Sequence, residues 1–309
     1  MADLLGLLIL LGIALVVLVG VLTALLVREA SRPPRHSAAY AIARSLPCDP
    51  GELELDFEEW TLDRSGDVKL PVWEVATGAN PGVGGFVGGA AVFVHGWGQS
   101  RIDMLARIEP WCSLCDRLVL YDLRGHGDAE GGLSPLGCRE EEDLIELLRR
   151  LGDERVILVG HSMGAVVAIH AAAQESEVKD HIAGIAAYGP YADFHTSVQG
   201  RLRVAGYPAR PITDLAMMWL KLCGIRHRRV LDDVPNVACP MLIIHGTEDI
   251  VSPLSHARSI AEAAVDATLL EIEGGGHLDA HLVDPQTHDE AVGAFLARIG
   301  AGVAQTCAV

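Results

Sequence analysis

Arg155-Val156-Ile157-Leu158-Val159-Gly160-His161-Ser162-Met163-Gly164 opens with a short apolar run, closes on a pentapeptide with a central serine, and leads into the alanine-rich residues 165–173. The pattern is strand, sharp turn, helix. A serine at the apex of such a turn is forced into an unfavourable backbone conformation that projects its Oγ outward. Side chains two residues to either side would collide with the neighbouring strand and helix, which accounts for Gly160 and Gly164. The helix that begins there also aims its free N–H groups at whatever the serine attacks. The stretch is a nucleophile elbow.

A serine hydroxyl is a weak nucleophile at neutral pH; it needs a base, and the base needs an orienting acid. Residues 241–244 form a buried strand that ends in His245-Gly246-Thr247-Glu248-Asp249, placing Asp249 just past the strand's carboxyl end, the edge where α/β sheets hold their ligands. Residues 268–272 form a further strand, and Gly274-Gly275-Gly276 leads from it to His277 on a loop free to swing over the serine. Of 13 histidines, His256, His281 and His288 are rivals for the base, but none directly follows a strand and a glycine run. Glu248 is the alternative acid, and Asp279 is read as a solvated loop residue.

The oxyanion of an acyl-transfer intermediate needs two donors. One is the backbone N–H after the nucleophile, Met163; the other comes from the loop after an earlier strand. Residues 90–94 are that strand and His95-Gly96-Trp97-Gly98-Gln99 that loop, so the second donor is the Trp97 N–H, with its indole as a wall of the acyl pocket. His95, placed before the loop, is expected to hold the turn rather than act as a second base.

The chain resembles a serine α/β-hydrolase over roughly residues 50–300. The resemblance is carried by His95-Gly96-Trp97-Gly98, by Tyr121-Asp122-Leu123-Arg124-Gly125-His126-Gly127, by the elbow, and by His245-Gly246-Thr247-Glu248-Asp249 with Gly276-His277. The order Ser162, Asp249, His277 is that of α/β-hydrolases. With its amino-terminal anchor and short cover, the chain is similar to the membrane-anchored, nearly lidless bacterial prolyl-oligopeptidase-like hydrolases. The resemblance implies an α/β fold with a mostly parallel eight-stranded sheet flanked by helices, and a Ser162–His277–Asp249 triad. It implies no cofactor and no metal. One departure stands out: Asp128-Ala129-Glu130-Gly131-Gly132 follows Gly127 where the family continues with serine, setting negative charge near the rim of the site.

Length and charge bound the rest. The 309 residues suit one α/β domain with an appendage. The formal charge is −17, and Asp3 is the sole charged side chain before Arg28, so the body is strongly acidic. Such a body repels phosphate backbones, which argues against a nucleic-acid partner and against electrostatic docking on anionic lipid. Seven scattered cysteines fit a reducing compartment, and Cys112-Ser113-Leu114-Cys115 lacks the second pair or matched histidines of a zinc site. Helix packing is its expected role. Cys307 stands one position away from a prenylation signal.

Residues 4–27 carry no charge and would span about 36 Å as a helix, enough to cross a bilayer core with some tilt. The start is not basic and no small-residue cleavage site follows closely, so residues 1–27 are read as a retained transmembrane anchor. Arg28, Arg32, Arg35 and Arg44 on its carboxyl side predict a cytoplasmic catalytic domain. Residues 28–50 are expected as a linker, 51–300 as the hydrolase domain with a small cap over 190–238, and 301–309 as a tail. A hairpin is expected from residues 52–62 and 68–76, a glycine-rich connector from 78–89, a strand over 117–122, a helix over 139–151 and a strand over 182–188. In the cap, a helix over 214–223 carries Met217, Met218, Trp219 and Leu222, either lining a cover over the acyl site or packing in the ordinary way. The expected substrate is a small-molecule or lipid carboxylic ester, cleaved through an acyl-serine. A membrane-proximal thioesterase or lipid deacylase, a peptidase and a noncatalytic binding platform are the alternatives. The oligomeric state is left open.

Overall fold

The structure, a computed structural model, describes residues 2–78, 86–174, 176–207 and 209–306. An eight-stranded sheet forms its centre, built from β1 (Asp56–Arg64), β2 (Val68–Ala76), β3 (Phe86–Val94), β4 (Cys115–Tyr121), β5 (Arg155–His161), β6 (Ile182–Tyr188), β7 (Met241–Gly246) and β8 (Ala267–Ile272). The strand order is β1-β2-β4-β3-β5-β6-β7-β8. β1 and β2 form the expected antiparallel hairpin, β2 meets β4 antiparallel, and every pairing from β4 to β8 is parallel.

Central strands of such a sheet are covered on both faces, so they read as unbroken apolar runs. Their side chains still alternate. Val92, Val94 and Leu158 face one layer, with Leu144, Val166 and Ile169 from the Glu140–Leu151 and Met163–Ala173 helices. Ala91, Phe93, Ile157 and Val159 face the other, against Trp111 and the Phe295, Leu296 and Ile299 side of the Pro285–Thr306 helix. The crossovers bring the ends of β3, β5, β7 and β8, and the loops that follow them, to one edge.

Several expectations are corrected in detail. β1 begins at Asp56, because Asp49 caps a 3-10 turn over Pro50–Leu53 by accepting the Glu52 N–H at 3.2 Å. β3 begins at Phe86, inside the stretch read as connector, whose residues 79–85 lie outside the described residues. The tail read as 301–309 continues the last helix to Thr306, and Cys307 lies outside the described residues. The cap holds two helices of eleven residues, Phe194–Val204 and Ile212–Leu222; two short helices were expected there, with bounds given for the second alone. On the second, Met218, Trp219 and Leu222 point outward, 42–81 % exposed, while Thr213, Ala216 and Leu220 pack inward. These three apolar side chains neither line the site nor fill the core.

The helix Ala2–Ala30 contains one stretch, Leu4–Ala30, long and apolar enough to cross a membrane. Its last turns pack on the Ile212–Leu222 helix of the cap. The segment after it, read as a linker, is laid on the body. Ser31 O accepts the Ser134 N–H at 3.1 Å, Arg35 donates to Gly127 O and Ala129 O, and the His36 ring bonds the Asp103 carboxylate at 2.9 Å. Its composition resembles a linker, but its polar groups are used.

Candidate active site

Ser162 directly follows β5 and stands at the N-cap of the following helix at φ 53°, ψ −111°, in the left-handed half of backbone space as an elbow requires. The close packing that demands glycine is explicit. A Cβ at position 164 would lie 1.9 Å from Val94 O, and one at 160 would lie 2.4 Å from Ala165 Cα.

His277 Nε2 lies 2.9 Å from Ser162 Oγ, and its Nδ1 lies 2.7 Å from Asp249 Oδ2. The other Asp249 oxygen accepts the Val251 and Ser252 N–H groups, both at 2.8 Å. Burial pushes the Asp249 carboxyl up, but the His277 hydrogen bond and charge and the Ser252 N–H outweigh it and leave it below the usual carboxylate value. Glu248, the alternative acid, is solvent-exposed. Of the rival bases, His288 is occupied by Tyr188 Oη at 2.9 Å and Asp289 at 2.7 Å, and His281 packs against His288.

The His277 loop is pinned rather than free to swing. Gly246 and Gly275 are the points of closest approach between the β7 and β8 loops, since a Cβ at 246 would lie 2.2 Å from Gly275 O. The Glu248 N–H donates to Gly275 O at 2.8 Å. Asp279 is not merely solvated: its carboxylate accepts the Gly276 N–H at 2.7 Å, fixing the residue before His277.

The His95–Gln99 loop runs beside the serine, with Gly96 so close that a Cβ there would stand 3.1 Å from His161 O. Among the described residues neither the Trp97 N–H nor the Met163 N–H donates to a protein acceptor. His95 is structural, as expected: its Nδ1 bonds Gly96 O at 2.8 Å and its Nε2 accepts the Leu123 N–H at 2.9 Å, tying the β3 and β4 loops together. Burial lowers His95 to about 4, so the neutral ring serves as donor and acceptor at once. A base depressed on folding contributes stability that is complete above its unfolded value near 6.5 and declines as pH falls through about 4. His95→Gln should therefore flatten the fall in unfolding free energy between those pH values, by ~2–3 kcal/mol in urea titrations. An unchanged slope would assign the acid sensitivity to other groups.

The Trp97 indole also acts as a strut: its Nε1–H donates to Ala30 O at 2.8 Å, at the end of the amino-terminal helix. Asp122 holds the turn that follows β4, accepting the Arg101 N–H at 2.8 Å and the Asp128 N–H at 2.9 Å. Burial raises it to about 6, against the pull of Arg101. The Asp128 carboxylate, expected to charge the rim, lies 3.5 Å from the buried Arg101 guanidinium, which offsets it.

Two site residues escape sequence reasoning. His245 Nε2 lies 3.3 Å from Asp249 and bonds Ser252 O at 2.8 Å, bracing the acid from behind. Arg201, on the Phe194–Val204 cap helix, places Nη2 3.4 Å from Ser162 Oγ and its guanidinium 5.3 Å from the Trp97 ring centre. The first could have been suspected from its motif; no local signal marks the second. Cys112 and Cys115 are free thiols, raised by burial to about 11 and about 12. Among the described residues no group of three His, Cys, Asp or Glu side chains could hold a metal ion.

Comparison with known proteins agrees with this architecture. The chain is 30% identical over 218 residues to the uncharacterized protein YqkD of Bacillus subtilis, covering 66% of this chain and 70% of that one. It is 24% identical over 203 residues to the mitochondrial palmitoyl-protein thioesterase ABHD10 of Rattus norvegicus, covering 61% and 65%. Among solved structures, a Pyrococcus furiosus esterase, Pf2001, matches with a TM-score of 0.68 at 21% identity, over 87% of this chain and 98% of that one. A membrane phospholipase A described as a bacterial virulence factor matches with a TM-score of 0.62 at 18% identity, over 96% and 98%. At these identities the two structures speak for the fold. The model of the alpha/beta hydrolase family matches residues 91–292, well over half of the sequence, and the chain belongs to that family.

Proposed function

We propose that the chain is a membrane-anchored serine hydrolase that cleaves carboxylic esters through an acyl-serine. The observation that carries the reading is the unbroken hydrogen-bond line from Ser162 Oγ through His277 to Asp249. His277 takes the serine proton as Oγ attacks the acyl carbon, and the Trp97 and Met163 N–H groups receive the oxyanion. The protonated His277 then gives its proton to the departing alcohol, leaving the acyl-serine. Water, deprotonated by His277, attacks that acyl carbon; the acid leaves and the serine is restored. Asp249, held ionised, keeps the His277 Nδ1–H pointed at itself and the Nε2 lone pair toward the serine. None of these steps calls for a cofactor or metal.

Delivery of acyl groups from the bilayer is favoured by one contact: the apolar helix ends on Trp97, in the loop beside the nucleophile. A cleaved signal sequence would remove that contact. The outward Met218, Trp219 and Leu222 on the cap helix that this helix touches give the same end of the molecule an apolar surface. A palmitoyl-protein thioesterase stands among the relatives, and a thioester would pass through the same acyl-serine steps here. Arg28, Arg32 and Arg44 follow or flank the anchor and favour a cytoplasmic body, whereas Arg35 is already engaged by the β4 loop.

The test uses the full chain in detergent with p-nitrophenyl esters from acetyl to palmitoyl and the matching acyl-CoA thioesters, with Ser162→Ala as the control. Serine-dependent turnover peaking at long chains is the expected result. A peak at acetyl or butyryl would favour a small-acyl esterase and remove bilayer delivery from the reading.

A further inference from the structure

Arg201 stands in the site without a role in the acyl-transfer steps above. Its Nη2 donates to Ser162 Oγ at 3.4 Å, and its guanidinium lies over the Trp97 ring. Among the described residues no carboxylate lies within ion-pair distance of it. Asp249, whose charge it feels, is already committed to His277 and two backbone N–H groups. A guanidinium has five N–H donors in a planar fork, and one contact to a serine hydroxyl leaves most of them unused. Burial also pushes Arg201 down, the usual cost of a desolvated cation. Other buried and part-buried arginines of the body are satisfied elsewhere: Arg124 and Arg64 share Asp143, Arg101 faces Glu59, Asp122 and Asp128, and Arg107, also pushed down by burial, donates to the Asp103 and Leu278 carbonyls. Arg201 differs from them in standing beside the nucleophile.

We propose that Arg201 selects substrates that carry an anionic oxyacid group, a carboxylate or a phosphate ester, a few bonds from the scissile acyl carbon. The inference rests on the ester-hydrolase reading and narrows it. With Nη2 3.4 Å from Ser162 Oγ, the guanidinium is within reach of a substrate held at the serine, and bidentate binding of a planar carboxylate or a phosphate is what such a fork does best. The guanidinium also lies 5.3 Å over the Trp97 ring, and the same indole is tied to the end of the apolar helix. An anionic lipid ester arriving along that helix would meet Arg201 as its acyl carbon reaches the serine. A soluble half-ester of a dicarboxylic acid offers the same anion without the lipid.

Two substrate pairs separate these sources: p-nitrophenyl butyrate against the p-nitrophenyl half-ester of succinic acid, and a monoacylglycerol against its phosphate ester, lysophosphatidic acid. Full-length protein in detergent should prefer the charged member of one pair in kcat/KM, and Arg201→Gln should reduce that preference by about 10- to 100-fold, the usual effect of losing a charge-assisted hydrogen bond to a desolvated group. Arg201→Lys should restore part of it. Preference in the first pair identifies a carboxylate, preference in the second a phosphate. A preference ratio unchanged by Arg201→Gln overturns the proposal.

Binding supplies a readout independent of turnover. Hexyl phosphate and hexanoate, titrated calorimetrically into Ser162→Ala protein, should bind at least tenfold more tightly than into the Ser162→Ala, Arg201→Gln double variant. Arg201-dependent binding with no ester turnover would keep the anion site and remove the esterase reading. Turnover of neutral esters with no Arg201-dependent binding would do the reverse.

Discussion

Ser162→Ala is expected to lower kcat on any accepted ester by about ten-thousandfold to a millionfold while leaving the thermal transition near that of the parent chain. The size follows from what the substitution leaves behind. Without Oγ there is no acyl-enzyme, and the Trp97 and Met163 N–H groups can polarise a bound ester only for attack by water, which retains a modest acceleration. Stability should change little, because Ser162 forms its fold contacts through the backbone: its N–H donates to Tyr188 O at 2.8 Å and its carbonyl accepts from Ala165 and Val166. His277→Ala should match the serine variant in magnitude, and the double variant should be no slower than either, since the residues act as a unit. Asp249→Asn should cost somewhat less in rate. It should cost more in stability, because the carboxylate also anchors the Val251 and Ser252 N–H groups. Turnover of p-nitrophenyl esters at equal protein concentration, with the parent chain's active fraction counted by a fluorophosphonate probe that labels Ser162, measures all four. Wild-type turnover in Ser162→Ala would remove Ser162 from the chemistry altogether.

The parts of the site legible in the sequence are those fixed by local sterics. An elbow must have small residues at fixed offsets from its serine, and the ends of parallel strands must carry the loops that meet it, so Ser162, Asp249, His277 and the 95–99 loop can be located from spacing. Arg201 cannot. It reaches Ser162 because the chain leaving β6 folds its cap helix back over the sheet edge, and nothing within ten residues of Arg201 records where that helix will lie. The segment after the apolar helix departs from its linker reading for a related reason. Pro33-Pro34 and the residues beyond it have linker composition, yet Pro34 packs against the turn at Gly98 and Arg35 satisfies carbonyls of the β4 loop. Composition reports what a segment could do in isolation, and tertiary partners override it. The outward Met218, Trp219 and Leu222 show the converse: apolar spacing predicts a buried face, and here the buried face is Thr213, Ala216 and Leu220.

Gly164→Ala is expected to be the most damaging glycine-to-alanine change among the described residues, at about 4 kcal/mol or more, enough to keep most of the protein from folding. The added Cβ would fall 1.9 Å from Val94 O, 2.5 Å from Val94 C and 2.6 Å from His95 O. All three are backbone atoms at the end of a central strand, so no side-chain rotation relieves the clash; either the helix lifts off β3 or β3 shifts in the sheet. Both movements also displace the His95–Gln99 loop, so any folded fraction should have lost turnover as well. Gly293→Ala supplies the opposite case. Gly293 lies in the Pro285–Thr306 helix, and a Cβ there meets nothing within 4 Å. Alanine is the better helix former, so this variant should gain about 0.5–1 kcal/mol. Urea unfolding of both variants in the same detergent gives the comparison. Opposite signs would show that the elbow's glycine is required by a backbone contact rather than by chain flexibility. A Gly164→Ala protein as stable as the parent would mean that the helix does not approach β3 as closely as the fold places it.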